Sequence, residues 1–123
     1  MSYDLHVART KDWLQASDMP ITKEDVDGVV AADQELEWAV DDYVEMANDV
    51  GIVTRYRMIN WNGAPCFWWY RDQIICSNPD EAQQLKLVRI ARTLGAFCIG
   101  DDGERYEIKK GILGKEGVVT VDE

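Results

Sequence analysis

The alternation of apolar and polar positions predicts strands at the start and in the middle of the chain. Apolar residues at every second position of 3–9 indicate a first strand. The segment 52–61 predicts a longer strand, and Asn62-Gly63 after it is the clearest hairpin turn signal in the chain. The turn leads into 65–77, the densest apolar run, which predicts two more strands joined at Arg71-Asp72.

The aromatic residues of that run are expected on both faces of a central strand. Side chains alternate along a strand, which puts Phe67 and Trp69 on one face and Cys66, Trp68 and Tyr70 on the other. Aromatic residues dominate cores and are also enriched at interfaces. A buried core is the favoured interpretation for most of them, and a ligand-stacking platform is the alternative.

Two segments carry the signals of amphipathic helices. Thr22 can cap the first, Asp25 three residues later completes a capping box, and the helix is expected to end near Asp33. Asn78-Pro79 opens the second, with Asn as the cap, and the apolar pattern continues to about Leu94. Three basic residues are expected on the solvated side of the second helix: Lys86, Arg89 and Arg92.

The remaining segments complete an α+β pattern. We expect a buried strand at 96–100, a turn at 101–103, its partner at 104–108 and an edge strand at 118–121. The pattern is weakest in 34–50, where a short strand at 43–46 is one interpretation. The order of elements predicts one domain, 1–123, with a mostly antiparallel sheet of about five to seven strands and two helices packed on one face.

The lengths of the apolar runs, the first residues and the cysteine count together predict a cytoplasmic protein. No apolar run approaches the roughly 20 residues that cross a bilayer, and the first residues lack the pattern of a secretory signal. An odd number of cysteines without such a signal favours reduced thiols, at Cys66, Cys76 and Cys98. Cys66 and Cys76 could face each other across the predicted hairpin, but buried thiols are the better interpretation.

The negative charge of the chain is concentrated in its first part. The formal net charge is −10, and residues 1–50 contain 13 acids and 3 bases. Ten of these acids lie in 24–49 without a single Lys or Arg. Such a surface excludes nucleic acid as a partner, because phosphate binding needs clustered Lys and Arg. It favours a basic protein as the partner, since complementary charge speeds encounter.

The part of the acidic stretch with the least regular pattern supplies the candidate binding residues. Loops and irregular segments often carry binding groups. A solvated face that keeps the protein soluble is the alternative interpretation of such a charge run. The candidate partner-binding residues, six acids with two aromatic anchors, are Glu35, Glu37, Trp38, Asp41, Asp42, Tyr43, Glu45 and Asp49.

Other chemistries receive weaker support from the sequence. The single histidine, His6, and the dispersed cysteines predict no metal site, and nothing indicates a cofactor. His6 is interpreted as a surface or hydrogen-bonded residue, although histidine can act as a base. The carboxylates Asp101, Asp102 and Glu104 surround Gly103 as expected of a turn, although such a cluster could also bind Ca²⁺.

Several motifs of the second half resemble those of a widespread group of small, uncharacterised bacterial proteins. They are the aromatic hairpin, the cap 78–82 with sequence NPDEA, the helix 87–96, and the turn 100–104 with sequence GDDGE. In general character, proteins of this group are similar to immunity proteins of bacterial toxin–immunity systems. The resemblance implies no established activity or functional residue.

Three functions are consistent with these observations. The leading hypothesis is a cytosolic immunity protein that inhibits a basic toxin or nuclease by occlusion through its acidic surface. The second is a small enzyme or ligand-binding domain with a pocket beside the aromatic hairpin, using His6 and the carboxylates of 101–104. The third is a dimerising or scaffolding domain. The residues favour binding over catalysis.

Overall fold

A single antiparallel sheet of eight strands forms the centre of the molecule. The structure, a computed structural model, describes residues 3–47, 50–51, 53–111 and 114–121, with the backbone alone described for 40–47 and 53–56. The strands are β1 (Asp4–Ala8), β2 (Leu36–Ala47), β3 (Val53–Trp61), β4 (Ala64–Tyr70), β5 (Gln73–Ser77), β6 (Phe97–Gly100), β7 (Arg105–Lys110) and β8 (Glu116–Val121). Their order across the sheet is β2-β3-β4-β5-β1-β6-β7-β8. The α+β class is confirmed, but the sheet is larger than the predicted five to seven strands.

Two α-helices and the apolar face of the sheet enclose the core. Helix α1 (Lys23–Ala32) and helix α2 (Glu81–Leu94) pack on the same face, as predicted. Their buried residues, including Val26 and Leu87, pack with Leu5 and Val7 of β1 and with Phe67 of β4. β1 lies between β5 and β6, so the first strand of the chain is central.

Local capping signals determine where both helices begin. Thr22 caps α1, and its capping box with Asp25 is present as predicted. The prediction for α2 was wrong by two residues, because Asp80 rather than Asn78 is the cap, and Gln83 completes its capping box. Asn78 has φ of 47° and accepts a hydrogen bond from the backbone N–H of Tyr3 at 2.9 Å. It therefore ties the approach to α2 to the start of β1.

The segment 34–50, whose pattern was weak, contains the longest strand. β2 forms one edge of the sheet, and its register against β3 shifts between Trp38 and Tyr43. That irregularity interrupts the two-residue period that identifies a strand. The short strand predicted at 43–46 is thus the second half of β2 and not a separate element.

A second register shift turns Cys66 toward the helices. Ile59 of β3 pairs with Phe67, but the next residue, Asn60, pairs with Pro65, so Cys66 is the extra residue of a bulge in β4. Cys66 packs against the core beside Phe67. The predicted placement of Cys66 on the face of Trp68 was wrong, because strict alternation does not survive a bulge.

A short 3₁₀ helix (Trp13–Asp18) covers part of the opposite face of the sheet. The sequence pattern predicted no element in this segment. The Trp13 ring stacks on the ring of His6, with centroids 4.0 Å apart and an interplanar angle of 3°. Since His6 alternates with Leu5 and Val7 on β1, this contact lies on the face away from α1 and α2.

Candidate functional site

The acidic stretch folds into two neighbouring elements at the β2 edge of the sheet. The indole N–H of Trp38 on β2 donates to Asp27 Oδ1 of α1 at 2.8 Å, which holds the helix against the edge strand. Asp41, Asp42, Tyr43 and Glu45 of the candidate set all belong to β2. Asp49 lies outside the described residues. We refer to α1, the connection 33–35 and β2 together as the acidic edge.

Glu35, one of the candidate residues, is engaged inside the molecule. The Lys86 ammonium of α2 lies 2.5 Å from Asp33 Oδ2 and 2.7 Å from Glu35 Oε1. The hydrogen bond from Lys86 is the main reason why the pKa of each of these carboxyls is below its ordinary value. Lys86 is buried, so its predicted solvated position was wrong: two carboxylates of the acidic edge compensate its charge.

Trp38, the proposed anchor, is half-buried and has neighbours on its ring. The Lys23 ammonium and the Arg57 guanidinium each lie 5.6 Å from the ring centroid. Trp38 also packs against the core. The side chain therefore joins α1 to β2, and this role differs from that of a projecting anchor.

Two further acids of the stretch have basic partners. The Arg9 guanidinium lies 2.9 Å from Asp25 Oδ2, and the Lys23 ammonium lies 3.0 Å from Asp27 Oδ2. By contrast, Glu24 and Glu37 are exposed and make no ion pair within the described part of the chain. The register also places Glu45 opposite Arg55 of β3. The charge of the acidic edge is therefore partly balanced, by a base within α1 and by bases from other segments.

A buried polar network surrounds His6 on the other face of the sheet. His6 Nδ1 lies 2.7 Å from Gln73 Oε1, and His6 Nε2 lies 2.7 Å from Asp101 Oδ1. Desolvation of Asp101 opposes its ionisation, but the hydrogen bonds from His6 and from the Asp4 N–H outweigh it and lower the carboxyl pKa. Both ring nitrogens are engaged and Trp13 covers the ring, so His6 reaches no substrate without a rearrangement.

The same network includes the cluster that could hold a metal ion. One ligand atom each from Asp4, His6 and Asp101 lies within 4.8 Å of the others. Asp4 Oδ1 accepts a hydrogen bond from Ser77 Oγ at 2.7 Å. Hydrogen bonds to other protein groups therefore explain the positions of all three side chains without a bound ion. The sequence analysis named His6 and the carboxylates of 101–104 together as candidates for a pocket beside the aromatic hairpin, and it gave no signal for Gln73 or Trp13.

A cavity of about 510 Å³ lies near the turn between β6 and β7. Phe97, Ile99 and Val121 line its apolar part, and the Arg105 guanidinium lies 5.7 Å from the Phe97 ring centroid. Its lining includes Glu104 but no residue of the aromatic hairpin β4–β5. The cavity therefore lies away from the pocket position that the ligand-binding hypothesis predicted.

Cys66 and Cys76, whose proximity the sequence left open, are in contact. The hydrogen bond from the Cys76 thiol lowers the pKa of the Cys66 thiol and outweighs partial burial, and a bond from Gln83 acts in the same direction. The same thiol–thiol bond and burial raise the pKa of Cys76. Cys66 is half-buried and Cys76 is buried; both are free thiols.

Comparison of the chain with protein-family models, with curated proteins and with solved structures found no match. In the part of the chain that the structure describes, no helix combines the length and the apolar character needed to cross a bilayer.

Proposed function

We propose that this chain is a binding protein, without catalytic activity of its own, that engages a basic protein partner through the acidic edge. The observation that carries the proposal is the position of the charge: α1 and β2 are neighbours, and β2 is an edge strand. The acids are therefore grouped at one border of the molecule.

The contacts within the molecule narrow the binding surface to the strand itself. Glu35 and Trp38 are held by Lys86 and by α1, and a partner would have to break those bonds to use them. Glu37 is exposed, and Asp41, Asp42 and Glu45 follow on the same strand. The proposed footprint is centred on these four residues.

An edge strand offers a partner backbone groups as well as charge. The N–H and C=O groups on the outer side of β2 have no neighbouring strand in the described sheet. A basic segment in extended conformation could pair with this strand, and its Lys and Arg would meet the acids on either side. Binding would then occlude the partner's basic surface, as expected for an inhibitor of a nuclease.

The test compares two triple variants with the same change in charge. Glu37→Lys, Asp41→Lys and Asp42→Lys reverse the acidic edge, and we expect them to weaken binding by about 100-fold, or roughly 2.7 kcal/mol. Asp18→Lys, Glu81→Lys and Asp102→Lys, at exposed positions away from the edge, are expected to change binding less than about threefold. Binding is measured by calorimetry at low and physiological salt.

The probe is the product of the adjacent reading frame, with ribonuclease A as an unrelated basic control. Specific, salt-sensitive binding of that product and inhibition of its activity support the proposal. An absence of binding, or equal losses in both variants, contradicts it. Equal affinity for ribonuclease A would also contradict it, since charge alone would then explain the attraction.

A further inference from the structure

The contact between Cys66 and Cys76 has no part in the acidic edge and has the features of a reactive site. The bulge in β4 directs Cys66 toward α2, where it lies beside Cys76 of the neighbouring strand β5. Cys76 is 1% exposed and Cys66 is half-buried. The Cys76 thiol lies within hydrogen-bonding reach of the Cys66 sulfur and of the Ser77 carbonyl oxygen, the latter at 4.0 Å. One thiol is thus partly accessible, and the second lies buried beside it.

The capping box of α2 supplies a second donor to the same sulfur. The Gln83 side-chain oxygen accepts the backbone N–H of Asp80 at 2.9 Å. This contact fixes the Gln83 amide so that its NH₂ group donates a hydrogen bond to the Cys66 sulfur. The negative charge of Asp80, in the same cap, raises the pKa of the Cys66 thiol, but the hydrogen bonds from Cys76 and Gln83 outweigh it. A thiol stabilised as thiolate at the start of a helix is the common environment of reactive cysteines.

We propose that Cys66 and Cys76 form an oxidation site for hydroperoxides, in which Cys66 reacts first with the peroxide and Cys76 then closes an intramolecular disulfide between β4 and β5. Cys98 is outside this site. It is 2% exposed, and burial raises the pKa of its thiol to about 12.

The chemistry requires only hydrogen peroxide as the oxidant. The Cys66 thiolate attacks one peroxide oxygen, the O–O bond breaks, and Cys66 becomes a sulfenic acid while hydroxide leaves and takes up a proton as water. Cys76 then attacks the Cys66 sulfur. The S–S bond forms, the S–O bond breaks, and the departing hydroxide leaves as water with the Cys76 proton. Two thiols and one peroxide give one disulfide and two waters, and an external thiol reverses the reaction.

The first experiment counts thiols and maps the linkage. The purified chain is treated with hydrogen peroxide, denatured, alkylated and analysed by peptide mass spectrometry. We expect the three thiols of the chain to fall to one, with Cys66 linked to Cys76 in a monomer and Cys98 alkylated. Retention of all three thiols, a linkage to Cys98, or a disulfide between two chains overturns the proposal.

Single substitutions separate the two roles. Cys76→Ser should stop at the sulfenic acid, which dimedone traps on Cys66, and Cys66→Ser should leave Cys76 unoxidised. Cys98→Ala should behave as the unaltered chain does. Circular dichroism checks that each variant is folded. Should Cys76→Ser not fold, the pH dependence of the oxidation rate in Gln83→Glu tests the proposal instead.

Gln83→Glu tests the thiolate stabilisation without removing the cap. A glutamate can still accept the Asp80 N–H in the capping box, but it replaces the donor near Cys66 with a negative charge. We expect oxidation at pH 7 to slow about tenfold or more, with the pH–rate profile displaced to higher pH. An unchanged profile would show that the site does not activate Cys66.

Discussion

Gly100 is a position where one missing side chain permits a polar network. The Tyr3 hydroxyl donates to Glu104 Oε1, and the Tyr106 hydroxyl donates to the same oxygen at 3.3 Å. A Cβ atom on Gly100 would lie 1.6 Å from that oxygen and 2.6 Å from the Tyr3 hydroxyl. Hence Glu104 can occupy its place over β6 only if residue 100 is glycine.

Gly100→Ala should therefore destabilise the fold, whereas the same change at Gly28 should stabilise it. Displacing Glu104 from its tyrosine partners is expected to lower the free energy of unfolding by about 1–3 kcal/mol. Gly28 lies within α1, and a Cβ atom there would meet no neighbouring group within 4 Å, so Ala should add about 1 kcal/mol through helix propensity. Urea unfolding measures both, and a loss at Gly28 or no loss at Gly100 contradicts the argument.

Among the elements, the 3₁₀ helix is attached by the large side chain of Trp13 and by the small buried side chain of Ala16. Trp13 is half-buried over His6, whereas the next residue, Leu14, is 73% exposed. Trp13→Ala should cost about 2 kcal/mol, less than the roughly 3–5 kcal/mol of a fully buried tryptophan. It should also speed amide exchange in β1. Leu14→Ala should stay within about 0.5 kcal/mol, and equal effects would show that the helix is not held through His6.

Elements with local signals were predictable, and those set by distant partners were not. Thr22 and Asp25 are three residues apart, and Asn62 and Gly63 have φ of 52° and 83°, as their turn type requires. The burial of Lys86 depends on Asp33 and Glu35, which are more than 50 positions away in the sequence. The bulge at Cys66 depends on how β3 pairs with β4, and sequence alternation carries no information on it.

The same distinction applies to the candidate site. Charge counted along the chain indicated an unbalanced acidic stretch, but Arg9, Lys23 and Lys86 lie outside it and pair with four of its acids. His6 and Asp101, 95 positions apart, are both candidates from the sequence, yet only the placement of β1 beside β6 brings them into contact. Folding therefore converts part of the apparent binding charge into internal ion pairs.

For the whole molecule, these internal pairs determine how stability depends on pH. Hydrogen bonds hold the pKa values of several carboxyls below their ordinary values, from the Thr22 backbone for Asp25 and from Lys86 for Asp33 and Glu35. In the unfolded chain the same carboxyls take up protons at higher pH. The free energy of unfolding should thus be at its full value above about pH 5 and decline as the pH falls below about 4.

The net charge of −10 has the opposite effect, because protonation of exposed acids relieves repulsion. Salt distinguishes the two contributions: at 1 M the Debye length is about 3 Å, which suppresses the repulsion and leaves the hydrogen-bonded pairs largely intact. We therefore expect the acid-induced loss to persist in 1 M NaCl.

Lys86→Met keeps an apolar side chain but removes the partner of Asp33 and Glu35, so its stability should decline less steeply between pH 5 and 2.5. Urea unfolding of the unaltered chain and of Lys86→Met across this range gives the slope of the free energy of unfolding against pH. Equal slopes in the two proteins, or a stability that rises as the pH falls, would contradict a fold held by ion pairs at its acidic edge.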